Sequence, residues 1–403
     1  QDPESLINGY IDGNYTVARV FPNSSSYASV REQFGDNIVY SLQDATTYYA
    51  AVNVDRTLYD HTSKTTDAEK SSTKAALLNK DFRQALSFAI NRETYSAQSN
   101  GEVGGAKAVR NTLTPTNFVS IGEKTFGDVV EEQIVQYGEE WADVDLSDGQ
   151  DGIYDAEKAK AQLETAKTAL SAEGVTFPIH IDIPVNQTSE INVQQAQSLK
   201  QSVEDALGTD NVVIDLQMLD EDTYLNATYY ATTPEQADFD ISTSAGWGPD
   251  YSDPSTYLDI MSAETGATVH YIGVAAGEDA ELAKQVGLDE YQAILDEASA
   301  ETSDMEKRYT LYAQAQAWLT DSALIIPTIS LGASPSGRNV VPFSGAYSAV
   351  GIKGGANTYF KYMELQDEPV TVEQYDEAKA TWEEERAKSN AEAQADLANH
   401  VEE

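Results

Sequence analysis

The residues best placed to do chemistry in this chain lie in one decapeptide. Ala245 to Pro254 reads A-G-W-G-P-D-Y-S-D-P, setting two glycines, two prolines, Trp247 and Tyr251 around the carboxylates Asp250 and Asp253. Such a loop presents an aromatic wall and a fixed negative charge. That combination suits a ligand with a cationic amine and an apolar body. A rigid turn that puts Trp247 into the core would use the same residues, and composition alone does not separate the two.

The other reactive side chains exclude more than they offer. The histidines are His61, His180, His270 and His400, and no two stand at metal-ligand spacing. With no cysteine in the chain, disulfides, thiolate zinc sites and a cysteine nucleophile are all excluded. No G-x-S-x-G elbow, H-E-x-x-H pair or P-loop occurs. We therefore expect neither an enzyme nor a cofactor. The run Asp143, Asp145, Asp148, Asp151 and Asp155, with Gly149 and Gly152, is the one candidate metal loop, for calcium. Its register departs from an EF-hand: Ser147 falls at position 5, Asp148 replaces the glycine of position 6, and Tyr154 falls at position 12. The alternative is an exposed acidic turn that caps the helix starting near Tyr154.

Charge narrows the partners. The 403 residues include 67 acidic and 25 basic side chains, a net charge of -42. Such a surface repels nucleic-acid phosphates and anionic lipid headgroups, and favours cationic partners. No apolar run is long enough to span a bilayer, and no export signal with a basic start and apolar middle is present. An export signal, if one exists, lies outside this sequence.

The elements that must position the decapeptide follow from periodicity. Residues 1–60 read as strands and loops, with β-prone runs at Val17 to Phe21, Ile38 to Tyr40 and Tyr48 to Val54. Thr62 to Thr73 reads as a polar surface loop. Phe82, Ala85, Leu86, Ala89 and Ile90 give one apolar face to a helix over 81–97. Residues 101–152 read as irregular, and a helix follows over 154–170. Strand 177–185, helix 190–207 ended by Gly208, strand 212–219, a short helix over 220–230 and strand 238–242 then make an α/β pattern. In open α/β sheets ligands sit beyond the carboxyl ends of strands, and Trp247 to Tyr251 lies just beyond such an end. Helices over 288–298 and 304–321 come next, the second with Met305, Tyr309, Tyr312 and Leu319 along one side, then a buried strand over 323–331. From Glu364 the tail carries 13 acidic and 3 basic residues, which predicts a solvated helix or disorder.

Five blocks, in order, resemble the oligopeptide-binding proteins of ABC importers. Asp81 to Arg92, DFRQALSFAINR, resembles the family's V-R-x-A-L-x-x-A-I-D-R helix. Tyr154 to Ala166 resembles its Y-x-x-E-K-A-K-x-L-L helix, and Ala245 to Thr256 its W-x-x-D-Y-x-x-P segment. Lys307 to Ser322 resembles its R-x-x-L-Y-x-x-A helix, and Ile326 to Gly345 its return strand. Residues 10–56, ending in a Tyr-Tyr-x-x-x-N strand, fit the segment before these, and Val109 to Gly127 is most similar to the streptococcal lipoproteins.

The resemblance implies an α/β, periplasmic binding protein-like II fold of the two-lobed cluster C type, here without its N-terminal part and small extra domain. Residues 1–80 would be the latter part of lobe I, 81–323 lobe II, 324–365 the return to lobe I, and 366–403 the tail. It implies a monomeric receptor, lipid-anchored outside this sequence on the extracellular face of the cell membrane. Such a receptor closes on oligopeptides and delivers them to the permease subunits. A peptide sensor or pheromone receptor would use the same fold. Asp250 matches the family aspartate that pairs with the peptide α-amino group, within a loop that includes Trp247, Gly248 and Tyr251. Ser244, Glu235 and Asn192 stand where some members carry the arginines and histidine that receive the peptide carboxylate. We expect that end of the peptide to be held differently, with a preference for longer or basic peptides.

Overall fold

The computed structural model describes residues 3–22, 24–344 and 363–397. In chain order its strands are β1 (Val17–Arg19), β2 (Val39–Tyr40), β3 (Gln43–Val52), β4 (Ser120–Ile121), β5 (Lys124–Thr125), β6 (Ile179–Asn186), β7 (Val212–Leu219), β8 (Ile241–Trp247), β9 (Ile325–Gly332) and β10 (Pro335–Arg338). The described residues form two compact units, one of residues 43–332 and one of the residues before and after them. The sequence places these boundaries instead after residues 80 and 323. The difference has a topological cause. β3 lies between β8 and β9 in one antiparallel sheet, so β3 and β9 stay with the α/β unit.

The smaller unit is built on a three-stranded antiparallel sheet of order β1-β10-β2. Two helices cover the stretch read as strands and loops, Pro3–Ile11 and Tyr27–Phe34. Each buries so few residues, Ile7 and Tyr10 from the first and Val30 from the second, that no helical period shows in the sequence. The acidic tail forms the helix Val372–Leu397. It is not wholly solvated: Tyr375 and Trp382 are buried, their rings packed on Phe343.

In the larger unit β6 and β7 run parallel, in register from Ile179↔Val212 to Asn186↔Leu219. The helix Glu190–Leu207 joins them. The Ser189 side chain accepts the Asn192 N–H at its start, and Gly208, at φ 79°, ends it. The third strand of the expected pattern starts at Ile241 rather than Asp238, and pairs antiparallel with β3 instead of extending the parallel pair. Helices also appear where composition suggested loops. Asp67–Leu78 starts from a Thr66–Glu69 capping box, and Phe126–Ile134 from a Thr125–Asp128 box. The helix expected over 81–97 is two, Lys80–Ala89 and Arg92–Gly105, because Ile90 is extended and Asn91 caps a new helix. In the helix Met305–Ser322, Tyr312 and Leu319 are buried, but Met305 is exposed in its first turn.

Candidate functional site

β8 is an edge strand. The sheet order is β8-β3-β9, and among the described residues no strand forms a ladder with its outer edge; β6 lies against its start, where the Asp240 N–H donates to the Asp182 carbonyl at 3.1 Å. Its register with β3 is Thr47↔Trp247, Tyr48↔Gly246 and Tyr49↔Ala245. Directly opposed residues of an antiparallel pair point to the same face, and side chains alternate along each strand. Asp44, Thr46 and Tyr48 therefore share one face with Gly246 and Gly248, while the register shifts beside Ser244, between the Tyr49↔Ala245 and Ala51↔Ser242 pairs. That face is half-buried, whereas Ala45, Thr47, Tyr49 and Ala245 behind it are buried. The glycines let β3 side chains lie close over β8: a Cβ on Gly246 would sit 2.6 Å from the Tyr48 ring, and one on Gly248 3.1 Å from Thr46 Oγ1.

The loop after β8 combines both readings that its composition allows. Trp247 turns to the other side and packs against the core, its Nε1 donating to the Thr256 carbonyl at 2.7 Å. Thr256 Oγ1 accepts the Asp250 N–H at 2.8 Å. Asp253 binds Arg308 in bidentate fashion, at 2.9 and 3.0 Å, and accepts from Ser255 Oγ at 2.6 Å. Burial works against the Asp253 charge, but Arg308 and Ser255 hold the carboxyl below the usual range. The loop is thus a braced turn, and the brace presents Asp250 and Tyr251, both exposed, beyond the end of β8.

Asn192 and Ser244 come together. Both lie beside the hydroxyl of Tyr224, whose burial pushes the phenol up while these two neighbours draw it down. Asn192 Oδ1 also accepts the Asn186 N–H at 2.8 Å, at the carboxyl end of β6. This corner is polar and uncharged. Glu235 is exposed in the turn Pro234–Gln236.

The acidic run does not converge. Asp151 accepts from the backbone of Arg92 at 2.6 Å and of Tyr154 at 3.1 Å. Asp148 lies 3.3 Å from Arg110 Nη1, and Asp145 accepts from Ser147. Asp143 is exposed, and Asp155 caps the helix Ala156–Ala172. Among the described residues no group of three or more metal-ligating side chains gathers. Two of these five carboxylates, Asp148 and Asp151, sit instead against Arg110 and Arg92, which oppose a cation.

A charged cluster that sequence reasoning missed lies at the other end of β8. Asp182, Asp238 and Asp240 are buried together with Arg56 and Lys64. Arg56 reaches Asp182 and Asp238 at 2.8 Å each and Asp240 at 3.2 Å. Lys64 pairs with Asp182 at 2.7 Å and with Asp240. His61 Nδ1 lies 2.7 Å from Asp238. Thr62, Ser63 and Gln217 complete the shell of Asp182. Burial would raise the Asp182 carboxyl, but Lys64 and these donors hold it far below its ordinary value. The cluster ties the 56–64 segment to β6 and to the start of β8.

An α/β unit with a braced loop beyond an edge strand belongs, by its fold, to the solute-binding proteins of the periplasmic binding protein-like II class. The substrate-binding domain of an oligopeptide ABC transporter from Bacillus anthracis has this fold, with a TM-score of 0.59 at 16% identity over 91% of this chain and 57% of that one. The chain itself belongs to the bacterial extracellular solute-binding proteins, family 5, whose middle-region model matches residues 1–268. It is 50% identical to the oligopeptide-binding protein AliA of Streptococcus pneumoniae over 403 residues, which is 100% of this chain and 61% of AliA. It is 51% identical to AmiA of the same organism over 402 residues, 99% of this chain and 61% of AmiA. The chain thus spans about 61% of the length of these curated relatives.

Proposed function

We propose that this chain is the larger part of a receptor that captures oligopeptides for an ABC importer. An extended peptide lies along the outer edge of β8 and exchanges main-chain hydrogen bonds with the Ser244 to Gly248 stretch. Its α-ammonium reaches Asp250. The observation that carries this reading is an edge strand followed at once by Gly-Pro-Asp, with the carboxylate exposed just beyond its end. Main-chain pairing gives affinity that tolerates any sequence. The ammonium–carboxylate bond sets the register, because every peptide has an amino terminus. The names of relatives about half identical in sequence support peptide capture, and favour it over a pheromone sensor. In the complete protein we place the receptor on the extracellular face of the membrane, lipid-anchored and monomeric, handing peptides to permease subunits without catalysis. The test is calorimetry on the full-length protein with peptides eluted from it. Asp250→Asn should weaken binding by about 2 kcal/mol, the low end for a charged pair because Asp250 is exposed. N-terminal acetylation of the peptide should do the same. Undiminished affinity of the acetylated peptide would refute the assignment of Asp250.

A further inference from the structure

In the loop after β8 only a short tip is exposed. Asp250, Tyr251 and Ser252 face solvent, Asp253 is half-buried, and the flanking prolines, Pro249 and Pro254, are buried. A proline fixes its own φ and restricts the residue before it, so both ends of the tip are stiff. The base is tied as well. Thr256 is buried, and its hydroxyl oxygen accepts the Asp250 N–H at 2.8 Å while its carbonyl accepts Trp247 Nε1–H at 2.7 Å. Ser255 donates its N–H to Asp253 Oδ1 at 3.1 Å and its hydroxyl to the same oxygen at 2.6 Å. That hydroxyl also lies 3.4 Å from the Tyr251 hydroxyl.

Arg308, 55 residues beyond Asp253, anchors that base from the helix Met305–Ser322. Its Nε and Nη2 hold both oxygens of Asp253, at 2.9 and 3.0 Å. Its Nη1 donates to the Ala298 carbonyl at 2.9 Å, with the carbonyls of Ser299 and Glu301 at 3.4 Å. These carbonyls stand at the end of the helix Leu288–Ala300, where a cation is favoured. All three nitrogens are thus engaged, and a lysine ammonium has no such planar fork. The path from Arg308 to the ligand loop is continuous. It runs from the guanidinium to the Asp253 carboxylate, to Ser255, to the Thr256 hydroxyl and to the Asp250 N–H.

We propose that Arg308 is a positioning residue for the peptide's amino terminus: through Asp253 and Thr256 it fixes where Asp250 stands beyond β8. The inference rests on the reading of Asp250 given above. A charge-assisted hydrogen bond is short and directional, so an anchor on a loosened tip loses selectivity for the α-ammonium. Arg308 also keeps the second carboxylate of the loop, Asp253, from acting as a rival anchor one turn away from the first. Main-chain pairing along β8 does not pass through this path, because β3 holds that strand. Loss of Arg308 therefore acts on the amino end of the peptide and not on the rest of it.

The experiment is calorimetry on the full-length protein with a peptide eluted from it and the same peptide acetylated at its amino end. Wild-type protein should favour the free amino end about thirtyfold. In Arg308→Met, Asp253→Asn that ratio should fall to about threefold or less, with the acetylated peptide bound within about twofold of wild type. Arg308→Met and Asp253→Asn alone should each show a loss as large as the double variant, because both act through one path. Thr256→Val removes the acceptor of the Asp250 N–H but keeps the carbonyl that holds Trp247, and it should lower the ratio too. It carries the test if the Arg308 variants do not fold, which thermal melting shows. A folded double variant or Thr256→Val protein that keeps the wild-type ratio overturns the proposal. So does an equal loss for both peptides, which marks Arg308 as a structural residue only. If wild-type protein does not distinguish the two peptides, the assignment of Asp250 itself is lost.

Discussion

Gly246 is the residue on which the proposed site most depends for space. A methyl group there would lie 2.6 Å from the Tyr48 ring, too close for the pair to stay in place. Gly246→Val should therefore displace Tyr48 and crowd the strand edge. We expect a peptide affinity at least tenfold weaker, with secondary structure retained, as measured by calorimetry and far-ultraviolet circular dichroism. At this scale the sequence was informative about chemistry but not about direction. The W-G-P-D-Y motif could be read directly. That Trp247 braces the loop while Asp250 and Tyr251 are presented follows from the Thr256 and Arg308 contacts, which come from 9 and 55 residues away respectively. Asn192 and Ser244 carried no signal of a common neighbour, because Tyr224, which lies beside both, is on a separate helix.

At the scale of elements, β6, β7 and the helix between them were legible because apolar runs and a terminal glycine agree. The 62–73 stretch was not, because its polar composition hides a helix that buries only one side. The Thr66–Glu69 box was the signal that could have found it. The buried ionic cluster had no signal at all. Arg56, Lys64, Asp182, Asp238 and Asp240 have no common spacing, and only the tertiary fold gathers them. Removing one member leaves charge buried without its partner. Lys64→Met should cost about 3–5 kcal/mol, measured by urea unfolding. The pH dependence follows from Asp182, whose folded carboxyl lies below its ordinary value. Its stabilisation is present above the unfolded value near pH ~3.9 and is lost as pH falls through the lower, folded one. Wild-type protein should hold its cluster down to about pH 4, and Lys64→Met should unfold at a higher pH, followed by intrinsic fluorescence.

For the whole molecule, the order of the five family blocks made the fold class legible before any contact was known. The unit boundary was less so, because strand pairing between β3, β8 and β9 links segments nearly 200 residues apart or more. The net charge of -42 bears on encounter rather than on fold. A basic peptide should associate more slowly as salt rises, since a Debye length of roughly 30 Å at 0.01 M shrinks to roughly 3 Å at 1 M. An acidic peptide of the same length should associate faster over that range. Stopped-flow measurements across it would check this, and salt-independent rates for both would remove electrostatic steering.

An edge that accepts any extended main chain also invites another copy of itself, the first step towards fibrils. β8 carries three restraints against that outcome. It is only seven residues long. Pro249, two residues past its end, has no N–H with which to continue a ladder. The exposed Asp250 follows at once and would face its own kind in any self-paired sheet. On the proposed reading the strand is open to a short guest with a free amino end and closed to a long, like-charged one, so the residues that would set the ligand also oppose self-pairing.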